Sequence, residues 1–219
     1  MAGGAAALGA ALPLAASPAG AQPVERRLVA GASRVNITGA QYPDTAVWTY
    51  ARTIPGPEIR VRQGERLQIE LENRLPQSTT IHWHGVRVPN AMDGVPHLTQ
   101  APIESGARFV YEFDAVDAGT FWYHPHERSF EQVGRGLYGA LIVEEREPIE
   151  VDRDITWVLG DWRLQPNAQL REDFGSFFAI AHNGRVGNTV TINGRVPEAF
   201  AVRSGEKIRL RFINGAAMT

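Results

Sequence analysis

Four of the chain's six histidines come as two H-x-H pairs, His82/His84 in segment 81–86 (IHWHGV) and His124/His126 in segment 122–127 (WYHPHE). On a β-strand, residues i and i+2 project to the same face, so each pair aims both imidazoles at one place. Two such pairs on neighbouring strands or strand ends bring four imidazoles to one volume. Neutral imidazole is a ligand for copper, zinc, nickel and iron. A single H-x-H is weak evidence and is often a surface accident. Two of them, each beside aromatic residues (Trp83; Trp122 and Tyr123), point to a metal centre. His97 and His182 stand alone and read as ordinary loop or surface residues. A zinc hydrolase using His82 and His84 is a chemical alternative, but no glutamate is placed to serve as its base.

The elements around these motifs read as strands. Ile59 and Val61 alternate with Arg60 and Arg62; Leu67, Ile69 and Leu71 alternate with Gln68, Glu70 and Glu72; Phe109, Tyr111 and Phe113 repeat the pattern. A period of two marks half-buried β-structure. The apolar run Ala140–Val143 reads as a buried strand closing the first unit. Turn residues at 55–57, Gln63-Gly64, Asp93-Gly94, Ser105-Gly106 and Ala118-Gly119 punctuate these runs. No segment carries a sustained helical stripe, and 130–137 has room for a turn or two. The expected class is all-β, a sandwich or barrel.

An internal repeat divides the chain. Residues 59–73 (IRVRQGERLQIELEN) match 200–214 (FAVRSGEKIRLRFIN), with Val61, Arg62, Gly64, Glu65 and Asn73 recurring as Val202, Arg203, Gly205, Glu206 and Asn214. The match reads as a duplicated hairpin, and Thr53-Ile54-x-Gly56 offers an upstream counterpart to Thr191-Ile192-x-Gly194. Two copies of one unit are expected: a first domain over 24–146, a linker over 147–153 and a second domain over 154–219. The first copy runs about seventy residues beyond Asn73, the second only five beyond Asn214. The second is therefore expected to be incomplete, with unpaired sheet edges and an open core.

Composition narrows the function classes. A net charge of −2 with 21% charged residues invites neither nucleic acid nor an anionic membrane surface. The absence of cysteine excludes disulfides, zinc ribbons and thiolate chemistry. Residues 1–21 are uncharged and rich in Ala, Gly, Leu and Pro, and end in a small-residue stretch. This resembles the apolar region and cleavage site of an export signal without its basic start, and implies a periplasmic or secreted protein beginning near Gln22. A disordered tail or membrane anchor is the alternative, with Pro13 and Pro18 arguing against a spanning helix. The glycine pattern 134–139 formally matches G-x-G-x-x-G, but a strand follows it instead of a helix. Asn36-Ile37-Thr38 is a glycosylation sequon, informative only in a eukaryotic source.

Taken together, segments 55–57 (PGP), 81–85 (IHWHG), 93–96 (DGVP), 119–127 (GTFWYHPHE) and 136–145 (GLYGALIVEE) resemble the N-terminal cupredoxin domain of multicopper oxidases. That superfamily includes laccases, bilirubin oxidases and periplasmic cuprous oxidases. Segments 161–164 (DWRL) and 190–197 (VTINGRVP) resemble the opening of its second domain. The resemblance implies a cupredoxin-like Greek-key β-barrel or sandwich, followed by an incomplete second cupredoxin domain. It implies copper as cofactor, with His82 on the type 2 ion and His84, His124 and His126 on the type 3 pair. Such a trinuclear cluster reduces dioxygen to water with electrons from one-electron donors, here phenols or metal ions. Asp93 falls where the family often keeps an acidic residue; it is a candidate proton donor or histidine orienter, or simply an Asp-Gly turn residue. The family's remaining ligands come from a C-terminal domain, in H-x-x-H-x-H and H-C-H motifs whose cysteine holds the type 1 copper. Neither motif occurs in these 219 residues, so a further domain or subunit is the expected partner and the chain alone is expected to be inactive. A copper nitrite reductase would carry a cysteine after the first histidine of the 122–127 segment, where Pro125 stands. The second reading is an exported protein that holds copper without catalysis.

Overall fold

The computed structural model describes residues 22–177 and 184–216, so the leader-like segment 1–21 and His182 lie outside the described residues. In chain order the strands are β1 (Val24–Val35), β2 (Thr45–Tyr50), β3 (Gly56–Arg62), β4 (Arg66–Arg74), β5 (His82–His84) and β6 (Arg108–Asp114). They continue as β7 (Gly119–His124), β8 (Gly139–Glu144), β9 (Arg153–Trp162), β10 (Thr189–Ile192) and β11 (Ile208–Asn214). A short helix, α1 (Ser129–Gln132), overlaps the start of the stretch with room for a turn or two, and a 3-10 turn spans Asn90–Met92. Three sheets form, ordered β2-β1-β4-β6, β3-β8-β7-β5 and β10-β9-β11. The expected all-β class is what the chain adopts.

The first two sheets face each other. Leu67, Ile69 and Leu71 of β4 and Tyr111 and Phe113 of β6 turn their buried side chains toward Ile59, Val61, Trp83, Tyr123, Leu141 and Val143 of the second sheet. Each alternate residue is apolar because each strand buries one face. β8 departs from this alternation, and topology explains why. It lies inside its sheet, between β3 and β7, with both faces covered. Leu141 and Val143 enter the sandwich core, while Ala140 and Ile142 face a second cluster with Val158, Trp162 and Ile213 of the third sheet. A strand covered on both sides reads as a continuous apolar run.

The repeat is structural as well as sequential, with two corrections. Residues 59–73 do not form a hairpin. β3 pairs in parallel with β8 and β4 in parallel with β1, so the turn between them carries the chain from one sheet to the other. Local alternation shows that both segments are strands; only the ladder partners show that they separate. The turn itself recurs in detail. Glu65 N–H donates to Arg62 O at 3.0 Å and Glu206 N–H to Arg203 O at 3.1 Å. The Glu65 carboxylate accepts from Arg62 N–H at 2.8 Å, and that of Glu206 from Arg203 N–H at 3.0 Å. Gly64 and Gly205 sit in the left-handed region, at φ +95° and +82°, which a side chain disfavours. Asn73 and Asn214 each accept from the backbone two residues on, at 2.9 and 3.1 Å.

The second correction is upstream. Ala30 lies across from both Tyr50 and Asn73, whereas Leu159 lies across from both Ile192 and Asn214. Ile192 therefore takes the place of Tyr50, not of Ile54. The turn Ala51-Arg52, with two positive φ angles, corresponds to Asn193-Gly194. The shared Thr-Ile-x-Gly string is a coincidence of letters at non-equivalent places.

The third sheet docks on the second through its buried face. Arg211 of β11 pairs with Asp154 at 2.7 Å and donates to Thr120 Oγ1 of β7 at 2.9 Å, and Arg209 pairs with Glu145. The opposite face stays open: Val190 of β10 and Phe212 of β11 are 64 and 58% exposed. Among the described residues no strand lies on the far edge of β11, the place that β6 fills beside β4.

Candidate metal centre

The histidine-bearing strands β5 and β7 are antiparallel neighbours, with His82 opposite His124 and His84 opposite Trp122. The three-residue strand β5 is anchored through its middle residue. Trp83 is fully buried between the histidines, its ring 5.4 Å from Tyr111, 5.1 Å from Phe113 and 5.9 Å from Tyr123. The pleat then sends His82 and His84 out on the opposite face. β7 ends at His124; Pro125 turns the chain, and His126 projects from the segment beyond the strand. His82 and His84 thus ride on a strand, and His124/His126 sit at a strand end, as the reading of strands or strand ends expects.

The imidazoles meet. Ligand nitrogens of His82, His84 and His124 all lie within 4.8 Å of one another. His126 is outside that trio but adjoins it, its ring centroid 5.3 Å from that of His82 and 6.2 Å from that of His124. Hydrogen bonds select the free nitrogens. His82 Nδ1–H donates to the Asp93 carbonyl at 2.7 Å, and His124 Nδ1–H to the Pro125 carbonyl at 2.9 Å, so each offers Nε2 to the shared space. His84 offers Nδ1, which lies 3.3 Å from His124 Nε2. Two imidazole nitrogens bound at about 2.0 Å to one first-row metal ion at a tetrahedral angle lie ~3.3 Å apart, so the donor set fits a shared ion.

Electrostatics favour the ligating form. Burial pushes the His124 imidazole down to about 4, and His84 is lowered by burial and then by the positive charges His82 and His126 would carry. Both are neutral at pH 7, with lone pairs available. Trp122 stacks on His124 at 4.1 Å and 28° and reaches His84 at 5.0 Å. Its other side packs on the cluster shared with the third sheet.

Asp93 acts on His82 mainly through its backbone. Its carbonyl takes the 2.7 Å hydrogen bond, while its carboxylate oxygen is 3.4 Å from the same Nδ1 and partly exposed. The Asp-Gly turn puts the Asp93 carbonyl against His82 Nδ1. Gly94 makes this contact: its backbone lies so close to Ile81 that a Cβ would overlap the Ile81 carbonyl. His97 is exposed and stands 4.0 Å from Glu127, away from the trio. Sequence reasoning passed over Gln132, which lies fully buried behind the ligand segments. No motif marked it, because its partners Ser78 and Thr79 are more than fifty residues away.

Comparison with known proteins agrees with the geometry. Residues 32–148 match the family profile described as Multicopper oxidase. Copper resistance protein A of Escherichia coli is 35% identical over 253 residues, covering 95% of this chain and 40% of that protein. Multicopper oxidase MmcO of Mycobacterium tuberculosis is 33% identical, covering 94% of this chain and 45% of that one. A crystal structure of a multi-copper oxidase from Pseudomonas thermotolerans superposes with a TM-score of 0.80 at 37% identity, over 90% of this chain and 48% of that chain. The chain thus spans less than half the length of these relatives. With a β-sandwich of this topology and a histidine cluster at the ends of β5 and β7, the chain belongs to the multicopper oxidase family.

Proposed function

We propose that this chain is a portion of an exported multicopper oxidase that contributes half of a trinuclear copper cluster and needs a further cupredoxin domain or subunit for turnover. The observation that carries the reading is the apposition of His84 Nδ1 and His124 Nε2 at 3.3 Å, with His82 beside them. In this reading His84, His124 and His126 hold the type 3 coppers and His82 the type 2 copper. Bound copper would supply one-electron chemistry, so that four one-electron donors, phenols or reducing metal ions, together with four protons would convert dioxygen to two waters. The protein's own part is positional. Asp93 O fixes the His82 tautomer, Pro125 O fixes that of His124, and Trp122 covers the pair from one side. In this reading the Asp93 carboxylate, 3.4 Å from His82 Nδ1, is the candidate proton relay toward reduced oxygen.

The open face of the β10-β9-β11 sheet supports a partner that completes the second domain, over 154–219, and the first domain with its linker follows the boundaries 24–146 and 147–153. Periplasmic or secreted placement rests on the composition of 1–21; among the described residues no helix is long and apolar enough to cross a membrane. The second reading, copper holding without catalysis, is favoured by the absence of cysteine, which leaves no type 1 site in these residues.

Anaerobic titration of the 219-residue chain with Cu(I) against a chromophoric chelator tests the copper claim. Binding is expected in the parent chain and lost in a His84→Ala/His124→Ala variant; a chain that binds no copper overturns the reading. Phenol oxidation under dioxygen by the copper-loaded chain alone would refute the need for a partner. Asp93→Ala is expected to keep Cu(I) affinity within less than the roughly tenfold loss that follows removal of an orienting partner, because the carbonyl remains. A larger loss in the same titration would give the orienting role to the carboxylate.

A further inference from the structure

β5 and β7 pair over only three residues, and His126 lies past the end of that ladder. Something else must hold His126 beside His82. Behind the two ligand segments, the fully buried Gln132 side chain accepts from Thr79 Oγ1 at 2.7 Å and donates through Nε2 to the Ser78 carbonyl at 2.8 Å. The next residue, Thr80, is also fully buried, and its hydroxyl accepts from the His126 backbone N–H at 3.2 Å. A second tie runs from Thr79 to Ile103, with reciprocal backbone hydrogen bonds of 3.0 and 2.9 Å.

We infer that Gln132 is a positioning residue for the copper centre: by bracing 78–80 against the helix that follows His126, it sets the spacing of His126 to His82. Gln132 sits at the end of α1, six residues after His126, and its partners sit three and four residues before His82. The brace thus closes the ligand pair at the end that strand pairing leaves open. His82 is the ladder residue nearest the braced segment 78–80, whereas His84 lies at the far end of the ladder opposite Trp122, and the His124 ring is fixed by the Pro125 carbonyl. Loss of the brace must therefore act selectively. A buried amide with both ends committed also leaves Thr79 and Ser78 unsatisfied when removed, which drives the segment to shift.

This inference rests on the copper reading, and the test separates the two. Cu(I) is added to the full chain, and long-range ¹⁵N NMR follows which imidazole nitrogens bind, beside chelator competition for affinity. Gln132→Met is expected to diminish the Cu(I)-induced shifts at His126 and His82 and to weaken binding at these two ligands by about tenfold or more, the usual cost of losing an outer partner. His84 and His124 should keep their response. Thr80→Val should reproduce this selective loss and Thr80→Ser should restore the parent behaviour, so the Thr80 pair decides the matter if Gln132→Met fails to fold. Equal weakening at all four histidines, or indistinguishable Thr80→Val and Thr80→Ser chains, would overturn the brace. A parent chain with no Cu(I) response would overturn the copper reading itself.

Discussion

Gly94→Ala is expected to disable the His82 side of the centre while leaving most of the sandwich folded. Gly94 is buried at φ +76°, a conformation an L side chain adopts at a cost of about 1–2 kcal/mol. Steric overlap is the greater difficulty. The new Cβ would fall on the Ile81 carbonyl, and its next neighbour is His82 N at 2.9 Å. Both are backbone of the ligand strand and cannot rotate away, so the 93–96 loop must lift. Lifting it withdraws the Asp93 carbonyl from His82 Nδ1 and frees the ring to turn and change tautomer. Overpacking and φ strain together set a stability loss of about 3 kcal/mol. Cu(I) affinity at His82 should fall about 10- to 100-fold. Chelator competition and urea denaturation measure the two separately. A Gly94→Ala chain with parental affinity would show that the Asp93 contact does not orient His82.

Trp83→Ala is expected to have the largest effect on stability of any single change near the site, about 3–5 kcal/mol, from lost burial and the cavity left behind. Trp83 heads the largest fully buried side chains and contacts three aromatic rings of the core. It also anchors a strand only three residues long, so the histidines on either side should lose their common direction. Copper binding should therefore weaken at His82 and His84 together, in contrast to the selective loss at His82 from Gly94→Ala. Trp83→Phe makes a sharper comparison. The buried indole Nε1–H has no hydrogen-bond partner among the described residues, which costs about 1–3 kcal/mol. Removing it offsets part of the lost packing, so Trp83→Phe should be destabilised far less than Trp83→Ala. Equal denaturation midpoints for the two variants would mean that ring volume at this place does not support β5.

What the sequence determined by itself was local and periodic. Alternation of apolar and polar residues marked β3, β4 and β6, because a strand with one buried face writes period two into its own residues. The spacing of His82/His84 placed two imidazoles on one face for the same reason. The repeated Arg-x-Gly-Glu turn was legible because its hydrogen bonds close within four residues. Whatever depended on distant partners was decided by the tertiary structure. The 59–73 segment looked like a hairpin, since alternation says nothing about which strand completes a ladder, and β8 and β1 lie far away in sequence. The Thr-Ile-x-Gly match misled because short strings carry no register. The unbroken apolar run of β8 became intelligible only when a sheet was found on each of its faces. Within the site, His126 lies beyond its strand, Asp93 makes its shorter contact with His82 through the carbonyl, and Gln132 hydrogen-bonds Ser78 and Thr79. Neither contact shows in residue type and spacing, because the partners lie eleven residues apart for Asp93 and more than fifty for Gln132.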